Sequence, residues 1–222
     1  MIDAKPISSP MASSCKLSKH GSESMQDASF YRSTVGALQY VTVTHSELSY
    51  SVNKVYQFMS SPLESHWTAV KRILMYLKGH LYHGLVLHLA PLYQSFSIGA
   101  FCDADWVADP DDRRSTSGAA IYVGPNLVAC WSRKQTVVSR SSTEAEYRSL
   151  PAATADILWI QTLLSELAVL HLTPMVLCDN SIAVQMAHNL VLHAKAKHME
   201  LDLFCQRKGP FQEADCSTHS WP

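Results

Sequence analysis

Several features that would place this 222-residue chain in a common class of protein are absent from it. Its six cysteines form no C-x-x-C pair, which argues against zinc fingers and a disulfide framework and suits reduced thiols. No apolar run approaches the roughly 20 residues that a membrane span needs, and the N-terminus lacks the pattern of a secretory signal. We therefore expect a soluble, intracellular protein with no membrane partner.

An excess of charge of either sign is also absent. Lys and Arg number 18 against 19 Asp and Glu, for a formal net charge of -1. Such a chain has no overall attraction to polyanions, so any contact with nucleic acid must come from local patches. What the chain does have is apolar content: at 47% hydrophobic residues it can bury a core, as one large domain or two small ones. We expect no small-molecule cofactor.

The first third of the chain changes character near residue 30. Residues 1–29 are rich in Ser, Lys and small residues without apolar periodicity, which is typical of a flexible linker. Residues 30–84 instead repeat apolar side chains at helical spacing, as in Leu48, Val52 and Val55. This pattern predicts a short helix and then two amphipathic helices, forming a small helical unit.

Residues 85–204 have the pattern of an α/β domain. In chain order the expected elements are three strands within 96–131, a long helix at 143–169, a strand at 175–178 and a helix at 181–190. Antiparallel strands followed by helix, strand and helix predict a mixed sheet with helices packed on it. We expect Trp106, Trp131 and Trp159 in its core.

Three acidic residues lie where these elements begin or end. Asp103 is expected to close the first strand, Glu146 to lie in the first turn of the long helix, and Asp179 to follow the strand at 175–178. Hard cations such as Mg²⁺ prefer carboxylate oxygens, and phosphodiester cleavage benefits from two ions about 3.5–4 Å apart. Each acid alone also has an ordinary explanation, as a turn residue or as a complement to the helix dipole.

The sequences that surround these acids are more specific evidence than the acids themselves. The strings FCDADWVADPDDRRSTSG (101–118), WSRKQTVVSRSSTEAEYRSL (131–150), VLCDNSIAV (176–184) and HAKAKHMELD (193–202) closely resemble four successive motifs of the ribonuclease H domain of Ty1/copia (copia-type) retrotransposon Pol polyproteins. They occur in that family's order and spacing. Upstream, residues 31–79 resemble the segment that connects the reverse transcriptase to that nuclease.

The resemblance implies a ribonuclease H-like fold and hydrolysis of the RNA strand of RNA/DNA hybrids by two-metal catalysis. Asp103, Glu146 and Asp179 match the family's catalytic, metal-binding carboxylates, with two Mg²⁺ ions as cofactors and Mn²⁺ as the alternative. Glu144 is the rival of Glu146 within TEAEY, and Asp202 matches a motif without an assigned role. The implied partners are the RNA/DNA hybrid and the remainder of the Pol polyprotein.

Basic residues flank the motifs, as charges for the phosphates of a hybrid duplex would. Their ordinary interpretation is solvated loops. The set comprises Arg113, Arg114, Arg133, Lys134, Arg140, Lys195 and Lys197.

The chain also departs from the family. The family's fourth carboxylate is missing, since Asp215 follows Asp202 by only 13 residues with no strand between. Residues 205–222 match nothing in the family, and we expect an aberrant tail produced by a frameshift near codon 205. The domain would then be truncated before its last strand, which leaves the sheet edge at 175–178 uncovered.

A proline is the second departure. Pro151 stands five residues after Glu146 inside the predicted helix, where it removes a backbone hydrogen bond at a cost of about 3 kcal/mol or forces a kink. A degenerate ribonuclease H is therefore the first hypothesis. A non-catalytic remnant with weak nucleic-acid binding and a partner-binding adaptor built on residues 31–79 are the alternatives. The absence of a Y-x-D-D motif argues against a polymerase.

Overall fold

The computed structural model describes residues 4–12, 15–89, 95–188 and 215–218. They form two compact units. The first comprises Met1–Leu85 together with Asp109–Arg113 and the short strand segment Trp131–Arg133, and the second comprises the remaining residues. In the described parts of both units, no helix is long and apolar enough to cross a membrane.

The first unit is helical, as predicted. Helix α1 spans Ala28–Val41, α2 spans Ser49–Tyr56 after a short 3₁₀ turn, and α3 spans Glu64–Gly79. The side chain of Asp27 accepts a hydrogen bond from the amide of Phe30 (2.8 Å) and so satisfies a free donor at the start of α1.

Apolar residues at helical spacing on all three helices meet in one core. Val35, Val52 and Ile73 are fully buried there. Tyr31 is also fully buried, and its hydroxyl donates to the carbonyl of Val55 at 2.7 Å. Burial raises the pKa of this phenol, because the charged form would lose its hydration.

The described residues of the second unit form a five-stranded sheet with two helices, so the predicted mixed α/β fold is confirmed. The sheet order is β3-β2-β1-β4-β5. Strand β1 pairs antiparallel with β2 and parallel with β4. The bounds are β1 Ile98–Asp105, β2 Thr116–Val123, β3 Asn126–Lys134, β4 Met175–Cys178 and β5 Asp215–Thr218. Helices α4 and α5 span Ser142–Glu166 and Ser181–His188.

Helix α4 packs on β1, β2 and β4. Buried residues such as Tyr147, Leu150 and Ile157 repeat along it at helical spacing. Pro151 lies within α4 and does not end it. The predicted continuation to residue 169 is wrong, because Ala168 adopts a left-handed conformation (φ 54) and ends the helix.

Two tryptophans are not in the core, contrary to expectation: Trp106 is 46% and Trp159 is 66% exposed. The indole N–H of Trp106 donates to the carbonyl of Ser139 at 3.0 Å. An indole that reaches a polar partner at the edge of the core has less to gain from full burial.

The expected open edge of the sheet is a further correction. Residues Asp215–Thr218 form β5 and pair in parallel with β4, from Met175 to Cys178. Backbone pairing uses N–H and C=O groups that every non-proline residue carries, so it requires no family-like sequence. The rest of the predicted tail, residues 205–214 and 219–222, lies outside the described residues.

Candidate metal centre

Glu146 is the most deeply buried of the three predicted carboxylates. It begins the second turn of α4, one position past the first turn where we expected it, and it is 6% exposed. Within the described part of the chain, no Arg, Lys or His side chain pairs with it. A buried carboxyl without a positive partner favours its neutral form or an added cation.

Asp103 lies on strand β1, against which the helix of Glu146 packs. It lies within β1 rather than at its end, because the strand continues to Asp105. The amide of Ala104 donates to Oδ1 of Asp103 at 2.7 Å and also hydrogen-bonds the Glu146 carboxyl. The two carboxyl groups therefore meet at one backbone N–H, and Asp103 remains exposed to solvent.

Asp179 follows directly after β4, as predicted, and brings a neighbour that the sequence analysis did not include. The ligand atoms of Glu146, Cys178 and Asp179 all lie within 4.8 Å of one another. Sγ of Cys178 is 3.9 Å from Oε2 of Glu146. Cys178 is the residue before Asp179 in the motif VLCDN, so its position beside the acid was visible, but its direction was not.

The alternation of side chains along β1 explains why the thiols are buried while Asp103 is exposed. Ala100, Cys102 and Ala104 are buried, whereas Asp103 and Asp105 are exposed. Successive side chains of a strand point to opposite faces, so Asp103 leaves the face on which Cys102 lies. Cys178 is paired in register with Cys102 and is likewise buried.

Crowding of acidic groups changes the proton affinity of Glu146. Its pKa is raised to about 9, first by burial and then by the charges of Asp103, Cys178 and Asp179, while the Ala104 amide acts in the opposite direction. The pKa of Cys178 is lowered, chiefly by a hydrogen bond from the side chain of Cys102. At neutral pH and without a cation, Glu146 is therefore protonated.

A buried hydrogen-bond network holds the start of α4, and sequence reasoning missed its central residue. The side-chain amide of Gln135 donates through Nε2 to Oγ of Ser117 (2.9 Å) and to the carbonyl of Ala145 (2.8 Å). Oγ of Ser139 donates to Oε1 of Gln135 at 2.9 Å. Because Ala145 precedes Glu146, Gln135 fixes the backbone that carries the buried carboxyl.

Glu144, the rival of Glu146, has a different role. Its carboxylate accepts from the amide of Arg140 (2.9 Å) and pairs with Arg148 (3.1 Å). The Ser141 hydroxyl accepts from the Glu144 amide at 3.2 Å. Glu144 is thus a helix-start residue.

The basic residues predicted for nucleic acid are divided between the units. Arg113 and Arg133 belong to the first unit and are exposed; the guanidinium of Arg133 lies 4.6 Å from the centre of the Trp131 ring. Arg114, Lys134 and Arg140 belong to the second unit, and Arg140 is exposed. Lys195 and Lys197 lie outside the described residues.

Two of the other candidate acids, Asp105 and Asp215, lie on described strands. Asp105 is exposed at the end of β1, and Asp202 lies outside the described residues. Asp215 pairs with Met175, which in turn pairs with Gly99. It therefore starts β5 level with Gly99, four residues before Asp103, or roughly 13 Å along the strands.

Comparison with known proteins gives two relatives that align with nearly the whole of this chain. The chain is 41% identical over 224 residues to the retrovirus-related Pol polyprotein from transposon RE2 of Arabidopsis thaliana, and 42% identical to that from transposon RE1 of the same plant. Each alignment covers 99% of this chain and 15% of the relative, so the chain spans about 15% of their length. No protein-family model matches the chain.

Among solved structures, LC11-RNase H1 in complex with an RNA/DNA hybrid is similar to 55% of this chain. The match covers 84% of that protein at 13% identity, with a TM-score of 0.39.

Proposed function

Because the chain belongs to the family of Ty1/copia retrotransposon Pol polyproteins, and its second unit has the mixed α/β sheet that the sequence motifs predict, we propose that this unit hydrolyses the RNA strand of RNA/DNA hybrids. The observation that carries the proposal is the position of buried Glu146 beside Asp179, with Asp103 close enough to share the Ala104 N–H with it.

The donor set fits Mg²⁺. A buried Glu146 faces two further carboxylates, with no positive side chain paired to it in the described part of the chain, and hard divalent cations prefer such oxygen ligands. Asp103, Glu146 and Asp179 would hold the ions. When bound, two such ions activate the attacking water and stabilise the leaving oxygen.

The residues of the chain have separate tasks in this proposal. Glu146 would hold a cation as the ionised carboxylate, so the proton that burial favours on it would have to leave to solvent. Exposed Asp103 faces the solvent from which the hybrid approaches. Basic residues, of which Arg140 stands immediately before the α4 cap Ser141, would contact phosphates without reading bases.

A cleavage assay tests the proposal. The full chain is incubated with Mg²⁺ and an RNA/DNA hybrid labelled on the RNA strand, beside Asp103→Asn and the matched control Asp156→Asn, which changes an acid of α4 outside the centre. We expect cleavage by the wild type and by Asp156→Asn, and a loss of roughly 100-fold or more in Asp103→Asn.

The same assay separates the alternative. Hybrid binding of equal strength in wild type and Asp103→Asn, with no cleavage by either, would establish a non-catalytic remnant. The observation favouring that outcome is the backbone position of Asp215, which is level with Gly99 and away from Asp103.

A further inference from the structure

The centre contains a donor that Mg²⁺ does not use. Cys178 is 1% exposed, and its Sγ lies within 4.8 Å of the ligand oxygens of both Glu146 and Asp179. Sulfur is a poor ligand for Mg²⁺ but a good one for Zn²⁺, which binds Cys sulfur at about 2.3 Å and carboxylate oxygen at about 2.0–2.2 Å.

The spacing suits one ion. Two ligands of a tetrahedral Zn²⁺ lie roughly 3.5 Å apart at those bond lengths. Side chains whose ligand atoms are within 4.8 Å reach that spacing by small rotations, with the fourth position left to water. Glu146 and Cys178 stand on different elements, α4 and β4, so the site is held by packing rather than by one flexible loop.

A second buried thiol, Cys102, lies next to Cys178. Cys102 is 5% exposed, is paired in register with Cys178 across the parallel strands, and hydrogen-bonds its side chain. Cys102 is not one of the three residues whose ligand atoms lie within 4.8 Å of one another, so it is a neighbour of the site and not a ligand.

We propose that Cys178, Glu146 and Asp179 form a binding site for a thiophilic divalent cation of the Zn²⁺ class, and that its occupation excludes Mg²⁺. The two cations compete because Glu146 and Asp179 would serve both. The proposal that this cation binds depends on the geometry alone, whereas the expected inhibition of hybrid cleavage rests on the proposed function.

Cobalt titration tests the binding. Co²⁺ takes similar ligands and shows a thiolate-to-metal charge-transfer band in the near ultraviolet only when sulfur is bound. The full chain is titrated with Co²⁺ under a non-thiol reductant, beside Cys178→Ser and Cys130→Ser, the latter removing a half-buried thiol of β3 outside the centre. We expect a one-to-one band in the wild type and in Cys130→Ser, bleached by one equivalent of Zn²⁺, and no band in Cys178→Ser.

Glu146→Gln is a second variant that tests the site even if Cys178→Ser misfolds. It keeps the thiol and removes an oxygen ligand, so we expect at least a tenfold weaker Co²⁺ affinity. No band in the wild type, an undiminished band in Cys178→Ser, or unchanged affinity in Glu146→Gln would each overturn the proposal.

The functional consequence is measured separately. In the Mg²⁺ cleavage assay we expect Zn²⁺ to inhibit the wild type and Cys130→Ser. The concentration needed for half inhibition should be at least tenfold lower for these two proteins than for Cys178→Ser. Equal inhibition of all three would overturn the exclusion of Mg²⁺ through this site. If the wild type does not cleave, the proposed function fails while the cobalt band still decides the binding.

Discussion

The carboxyl of Glu146 combines burial with negative neighbours. At 6% exposure it has lost most of its hydration, and the negative charges of Asp103 and Asp179 disfavour a further negative charge on Glu146. These effects raise its pKa to about 9. A bound cation would reverse this balance, because positive charge favours the ionised form.

The proton on Glu146 makes stability depend on pH. Between the ordinary pKa of 4.5 and about 9, the folded chain holds a proton that the unfolded chain has released. The free energy of unfolding should therefore fall as pH rises through this window, by up to roughly 1.4 kcal/mol per pH unit. Glu146→Gln should lack this loss.

Denaturant unfolding from about pH 5 to about pH 9, in the presence of a chelator, checks this. Glu166→Gln, at the exposed end of α4, is the matched control and should follow the wild type. A slope in Glu146→Gln equal to that of the wild type would contradict the expectation.

At the scale of elements, α4 contacts three strands of the sheet and helix α5. Its first turns carry Glu146, its middle packs on the sheet, and its end is set by Ala168. The amide of Val169 donates to the carbonyl of Leu164 at 2.8 Å, and that of Ala168 to Ser165 at 3.1 Å. This pair of bonds is the Schellman pattern of a helix end.

Pro151 weakens this helix without ending it. It has no amide hydrogen to donate to the carbonyl of Tyr147, four residues earlier. We expect Pro151→Ala to raise the free energy of unfolding by about 1–3 kcal/mol, the loss of proline's restraint on the unfolded chain offsetting part of the gain. A thermal or denaturant midpoint that falls instead would show that the packing of α4 depends on a bend at this position.

Gln135 should matter to α4 as much as residues of the helix itself. Gln135→Ala leaves the carbonyl of Ala145 and the hydroxyls of Ser117 and Ser139 without that partner in a buried site. We expect a loss of about 2–4 kcal/mol of stability, measured by denaturant unfolding. Thr136→Ala, which changes the exposed neighbour, should cost little; equal effects of both would contradict the role of the network.

At the scale of the whole molecule, each unit has an apolar core of its own. Ile73 is fully buried in the helical unit and Ile121 in the sheet unit. A buried Ile→Ala substitution costs about 2–5 kcal/mol in the unit that carries it.

These two positions test whether the units unfold separately. We expect Ile73→Ala to lower one calorimetric transition and to leave the pH dependence contributed by Glu146 unchanged, and Ile121→Ala to lower the other. A single transition that both variants lower equally would show that the chain unfolds as one cooperative body.

Much of the fold followed from local pattern. The spacing of Leu48, Val52 and Val55 predicted a helical region, and alternation within 96–131 predicted strands, because the period of buried side chains follows from backbone geometry. The motifs also indicated three carboxylates that the structure places near one another.

Other features depend on contacts between residues distant in sequence. The sequence alone determined the order of the elements, the family and the acids at their ends. Only the tertiary structure decided that Cys178 lies beside Glu146, that Gln135 holds the start of α4, and that residues of the tail pair with β4. Burial, register and crowding of charge arise when distant segments pack, and no local periodicity records them.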